Sequence, residues 1–151
     1  MKYKDFIQEY ELARLKNPKL FSIGNDDIAD AETVQKYQEY YGVSFAKSFV
    51  DFVGEIGGGY FGYILILSLD DNGVFNIKSK FTKEMIEGMD IFPVIDLETG
   101  DYIGYKIKNK TCTESLVVLN HDGKIKKELD VGFYELIVQL GIYNDISLLS
   151  M

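Results

Sequence analysis

Tryptophan is absent from this chain of 151 residues, which has one cysteine (Cys112), one histidine (His121) and two prolines. Each scarcity excludes something. A lone cysteine cannot close an internal disulfide and fits a reducing compartment. A structural zinc site needs three or four ligands, and one His with one Cys falls short, so no metal is expected. A Ser–His or Cys–His mechanism would have to use His121. That residue lies in Asn120-His121-Asp122-Gly123, a turn sequence in which a polar surface residue is the ordinary occupant. No run approaches the roughly 18 apolar residues that span a membrane, and none is expected to contact one. The opening Met1-Lys2-Tyr3-Lys4-Asp5-Phe6 leads into a charged helix rather than an apolar signal core, so the expected compartment is the cytoplasm.

Basic residues are scarce where they would matter for nucleic acid. The formal charge is −8, and residues 21–105 carry 5 Lys/Arg against 15 Asp/Glu, a net −10. Binding by phosphate neutralisation is therefore excluded as the expected mode. A basic partner, steered by the field of the acidic middle, fits instead; solvation alone is the plainer use of the same charge. What the chain has in quantity is aromatic surface, 11 Tyr and 10 Phe within a hydrophobic fraction of 46%. That is a folded composition, and the length suits one domain over residues 1–151 with a sizeable core.

Periodicity orders the elements. Phe6 to Leu15 reads as a short amphipathic helix ended by Asn17-Pro18. Ile28, Ala31, Val34, Tyr37 and Tyr41 repeat at helical spacing up to Gly42, with Asn25 or Asp26 available as the N-cap. Ser44 is placed to cap a third helix whose face is Phe45, Phe49, Phe52, Val53 and Ile56. Gly57-Gly58-Gly59 stops it, and Tyr60 to Leu69 then reads as one buried strand. Asp71-Asn72-Gly73 predicts a tight hairpin with Val74 to Ile77 returning. A short helix from Phe81 to Gly88 follows, with Thr82 as its cap. Further strands are expected at 90–97, where Pro93 marks an edge or bulge, and at 101–107, 115–119 and 124–129. Asp130 is placed to cap a last helix built on Phe133, Leu136, Ile137 and Leu140. Helices, then a meander of strands, then one helix predict an α+β fold: a mostly antiparallel sheet of about six strands with helices packed on it.

Several stretches invite a chemical reading. Gly57-x-Gly59-x-x-Gly62 has the dinucleotide-fingerprint spacing, but the order here is helix, glycines, strand. A pyrophosphate would meet the negative end of a helix dipole. Asp70-Asp71-Asn72-Gly73 resembles part of a calcium loop, yet aligning its glycine leaves Ser68 and Ser79 at the two terminal ligand positions, where carboxylates are required. Asp96, Glu98 and Asp101 gather at one predicted turn, and paired carboxylates can do acid–base work only in a cleft that desolvates them. Tyr60, Tyr63, Tyr102 and Tyr105 alternate on strands, so about half face away from the core, where a large ring with a polar tip suits a binding surface. Asp70, Asp71, Asp96, Glu98, Asp101 and these four tyrosines are the candidate partner-binding residues. No catalytic set and no cofactor is expected.

Together the segments resemble the SUKH superfamily, the group named for similarity to a fungal cell-wall assembly regulator. The residues that carry this are Asp27-Ile28-Ala29-Asp30-Ala31-Glu32 leading to Tyr41-Gly42-Val43; Phe45 to Phe52 followed by Gly57-Gly58-Gly59-Tyr60-Phe61-Gly62; and Phe92-Pro93-Val94-Ile95 with Thr99-Gly100-Asp101-Tyr102-Ile103, then Val117-Val118-Leu119 and a closing helix with Phe133 and Leu136. Ser44-Phe45-Ala46 departs from the Leu-Pro pair usual before the third helix. The resemblance implies a non-enzymatic binding protein, of the kind that in bacteria confers immunity by blocking a toxin domain, often a basic nuclease. A regulatory scaffold for several partners and, further off, a carboxylate-dependent hydrolase are the alternatives.

Overall fold

A computed structural model describes residues 1–150. The first helix, α1 (Tyr3–Lys16), buries Phe6 against Phe52, Phe61 and Tyr134, with ring centroids 5.1–6.2 Å apart. It stops before Pro18, which opens a short 3-10 turn, Pro18–Phe21. The second helix, α2 (Ala31–Tyr41), ends on Gly42 in the left-handed region. Its N-cap is Asp30, whose carboxylate accepts from the Thr33 amide at 2.8 Å, and not Asn25 or Asp26. That hydrogen bond holds the Asp30 carboxyl below its ordinary range.

The third helix, α3 (Lys47–Glu55), has no side-chain cap of its own. Ser44 cannot serve, because its backbone is committed elsewhere: its amide donates to Lys110 and its carbonyl accepts from Cys112. A residue from the sheet caps the helix instead. Glu114 accepts from the Ser48 hydroxyl at 2.6 Å and from its amide at 3.4 Å. Ser48 gives its one proton to Glu114, so the buried Tyr105 hydroxyl, 2.7 Å away, donates to Ser48. Phe49 is fully buried between Phe45, Phe92, Tyr105 and Phe133.

Six strands follow: β1 (Gly59–Phe61), β2 (Ile64–Ile66), β3 (Ile91–Asp96), β4 (Tyr102–Lys108), β5 (Thr111–Leu119) and β6 (Ile125–Glu128). They form one antiparallel meander in sequence order. The α+β layering is the expected one. Pro93 lies on a central strand, and a register shift between Pro93 and Ile95 accommodates its missing donor. The remaining helices are α4 (Lys83–Met89), with Thr82 accepting from the Met85 amide at 3.2 Å, and α5 (Phe133–Ile137).

Three local expectations are corrected. The run from Tyr60 to Leu69 is not one strand but a hairpin, folded at Gly62-Tyr63. Gly62 has φ +60°, and a Cβ there would lie 1.9 Å from the Gly141 carbonyl oxygen. That carbonyl accepts from the Tyr63 amide at 2.9 Å, so contact with the C-terminal segment sets the fold point. Val74 to Ile77 does not return as a strand. The chain turns at Asp70–Gly73, runs through a loop and enters a 3-10 turn, Ile77–Ser79. Lastly, Gly132 and not Asp130 begins α5, which continues as a π-helical turn, Val138–Ile142.

Candidate functional site

The hairpin turn and the π-helical turn form one side of a cleft of about 380 Å³. The β3–β4 loop, from Asp96 to Asp101, forms the other, with Val118 and Lys126 from the sheet between them. The chain beyond the π-turn closes one end with Asn144, Ile146, Leu149 and Ser150. A hydrogen bond from the Lys127 ammonium to the Ser150 carbonyl ties that tail to β6. The floor is apolar, built from Ile64, Leu97, Val118, Leu140 and Leu149; the wall carries three carboxylates.

The three are not equivalent. Asp96 is 7% exposed, pairs with the Lys80 ammonium at 3.1 Å and accepts from the Glu98 amide at 2.7 Å. That pairing raises the Lys80 ammonium above its ordinary value. Asp101 pairs with Lys126 at 2.7 Å. Glu98 accepts from the neutral Tyr60 hydroxyl at 2.7 Å, and among the described residues no cation lies within 4 Å of it. The bond to Glu98 pushes the Tyr60 hydroxyl upward. Glu98 also has φ +59°, an unfavourable backbone conformation for a non-glycine residue.

Four of the nine residues singled out from the sequence line this cleft: Tyr63, Asp96, Glu98 and Asp101. Tyr60 joins them through Glu98. The ring of Tyr63 is half exposed at the rim, beside the exposed Ile146. Tyr102 is half-buried, edge-on to Phe81 at 4.9 Å, and lines a separate groove with His121 below α4. Tyr105 is 0% exposed, so it is removed from any contact surface. Its place on the strand turns the ring under α3, and burial raises its hydroxyl well above the ordinary value.

Asp70 and Asp71 do not line the cleft. They belong to a loop that Asp26 holds in place. The Asp26 carboxylate accepts from the Ser68 hydroxyl at 2.6 Å, the Phe75 amide at 2.8 Å and the Val74 amide at 3.0 Å. Gly73 does not take a positive φ; it is needed for space, since a Cβ would lie 2.2 Å from the Asp26 carboxylate. Asp70 accepts from the amides of Asp27 at 2.9 Å and Asn72 at 3.0 Å. Asp71 accepts from the Tyr37 hydroxyl at 2.5 Å, and that hydroxyl accepts from Asn76 at 2.6 Å. Burial, then the bond to Asp71, raise the Tyr37 hydroxyl.

The sequence offered Asp26 only as a helix cap and not as the anchor of this loop, and it did not mark Glu114, Lys126 or the tail residues Asn144 to Ser150. Their partners lie far along the chain, 42–49 residues away for Asp26 and 66 for Glu114, and no local pattern marks such pairings. Cys112 is buried, which pushes its thiol up to about 12 and leaves it a poor nucleophile. Among the described residues no group of three or more His, Cys, Asp or Glu side chains is arranged to hold a metal ion. No helix among them is long and apolar enough to cross a membrane.

No curated protein and no solved structure gives a significant match to this chain. A family model does. The model described as SUKH_6, SMI1-KNR4 cell-wall, matches residues 31–137, from the start of α2 to the end of α5, and so takes in the whole sheet. With well over half of its length matched, this chain belongs to the SUKH_6, SMI1-KNR4 cell-wall family.

Proposed function

We propose that the protein is an immunity protein, which binds the domain of a polymorphic toxin, a basic nuclease, and neutralises it in a tight one-to-one complex in the cytoplasm. Family membership is the observation that carries this reading. The net −10 over residues 21–105 supports a basic partner, since an acidic surface competes for the same cations that hold phosphate. The cleft supports a place of contact, because it sets an exposed aromatic rim beside carboxylates on an apolar floor.

One observation favours a second reading. Asp96 and Asp101 share a cleft with Tyr63, the arrangement a carboxylate-dependent hydrolase would need. It ranks below the first because each carboxylate is matched to its own lysine, Lys80 or Lys126. Glu98, the one carboxylate of the cleft with no cation within 4 Å among the described residues, is exposed, whereas acid–base work needs a carboxyl that the cleft desolvates.

Co-expression with the toxin domain encoded by the neighbouring reading frame tests the proposal. Cell survival and a one-to-one complex on gel filtration are expected. Association should slow as salt rises, because steering is screened beyond about 10 Å at 0.1 M ionic strength. Continued killing beside abundant protein, with no complex, would overturn the assignment for that pair. Recovery of several unrelated host proteins in its place would favour a regulatory scaffold.

A further inference from the structure

We infer that the cleft takes the side chain of an arginine presented by the protein partner, with Glu98 receiving the guanidinium and the Tyr63 ring stacking on it. This rests on the partner-binding reading above and names the chemistry of the contact. Three features of the cleft select that occupant. The floor is apolar where an aliphatic stem would lie, on Ile64, Leu140 and Leu149. The wall is acidic, and of its three carboxylates Glu98 alone has no cation within 4 Å among the described residues. The rim carries an exposed aromatic face, Tyr63.

The Glu98 carboxylate is prepared for such a guest. Tyr60 donates to one of its oxygens, which fixes the side chain, while the other accepts from no described residue. A carboxylate held in one orientation loses little entropy on binding, and a guanidinium can bridge it through paired N–H donors. Arginine fits better than lysine because a planar, weakly hydrated head can stack on the tyrosine ring while it bonds the acid. A purely apolar side chain would fill the floor but desolvate the Glu98 oxygen that Tyr60 does not reach, which is costly.

The test needs no toxin. N-acetyl-arginine amide is titrated into the labelled protein and amide resonances are followed by NMR, with N-acetyl-citrulline amide as the neutral isostere and N-acetyl-leucine amide as the apolar probe. Saturable shifts are expected at Tyr63, Glu98, Thr99 and Ile146, with citrulline weaker by about tenfold. Glu98→Gln should also weaken arginine binding about tenfold, and its side chain can still accept from Tyr60. Tyr63→Ala should weaken it a few-fold, and Lys126→Gln, which frees Asp101, should strengthen it. Equal shifts with citrulline or leucine, or no loss in Glu98→Gln, would overturn the inference. So would arginine shifts spread equally over Asp27, Asp71 and the cleft. Because co-expression reads partner binding and this titration reads the cleft, the two can fail separately.

Discussion

In the loop from Ser68 to Asn76 both carboxylates are engaged, Asp70 by backbone amides and the exposed Asp71 by the Tyr37 hydroxyl and, at 3.8 Å, the Lys78 ammonium. Asp26 reaches over from the segment before α2 and accepts three hydrogen bonds from the same loop. At the cleft wall Glu98 has one neutral donor and an exposed side chain, while its neighbours Asp96 and Asp101 are neutralised by lysines. The two regions have similar composition and opposite uses. In the first, negative charge takes the place of strand pairing and holds an irregular loop. In the second, the same chemistry leaves one charge available. Net charge along the sequence therefore overstates the acidic surface open to a partner, because part of it is spent on internal hydrogen bonds.

Substitutions can sharpen this contrast. Asp26→Ala strands two amides and the Ser68 hydroxyl, and bonds to a charged acceptor contribute more than neutral ones, so a loss of about 2–4 kcal/mol in chemical denaturation is expected. Asp70→Ala removes the acceptor of two amides and should cost about 1–2 kcal/mol by the same measurement. Turn position alone would suggest a site tolerant of change, so a neutral result would return Asp70 to the set of free surface charges.

Tyr37 gives the contrast a pH signature. Its hydroxyl is raised in the folded chain above its ordinary value of 10.0, chiefly by burial. The stability it contributes is complete below pH 10. It is lost as pH climbs above 10, because the unfolded chain then releases a proton that the folded chain retains. Tyr37→Phe should make the alkaline loss of stability shallower, with Tyr41, Tyr105 and Tyr134 still contributing to it, and should cost about 1 kcal/mol at neutral pH in chemical denaturation through the lost bonds to Asp71 and Asn76. An unchanged alkaline slope would show that the loop opens before Tyr37 titrates. The smallest effect is expected at the cleft, where Glu98→Gln should alter stability by no more than about 0.5 kcal/mol. A larger loss would place Glu98 with the structural carboxylates.

Much of the fold was legible because its signals are local. Phe45, Phe49 and Phe52 recur at helical spacing and are buried, Gly42 and Thr82 end and begin helices as their chemistry dictates, and Pro93 marked a bulge. What was missed depends on contacts across the chain. Nothing near Gly62 announces that Gly141 will lie against it, so an apolar run read as one strand instead of a hairpin. Ser44 is a good cap by type, but its backbone is used by β5. At the site, the clustering of Asp96, Glu98 and Asp101 followed from their shared turn, whereas their separate partners, Lys80, Tyr60 and Lys126, come from three other elements. Tyr105 alternates with Tyr102 only as far as the strand face, and α3 covers the side it occupies.

The central claim is that partner binding uses the cleft and not the acidic surface around the Ser68–Asn76 loop, where Asp27 stands with its amide on Asp70. It is tested most directly by measuring the affinity of the neighbour-encoded toxin domain for wild-type protein, Glu98→Lys and Asp27→Lys, with each variant's folding checked by its denaturation midpoint. Both substitutions change the net charge equally and both side chains are exposed. The account predicts that Glu98→Lys weakens the complex at least tenfold more than Asp27→Lys, about 1.4 kcal/mol or more in binding, at equal stability. Equal losses in the two variants, or a larger loss in Asp27→Lys, would contradict it.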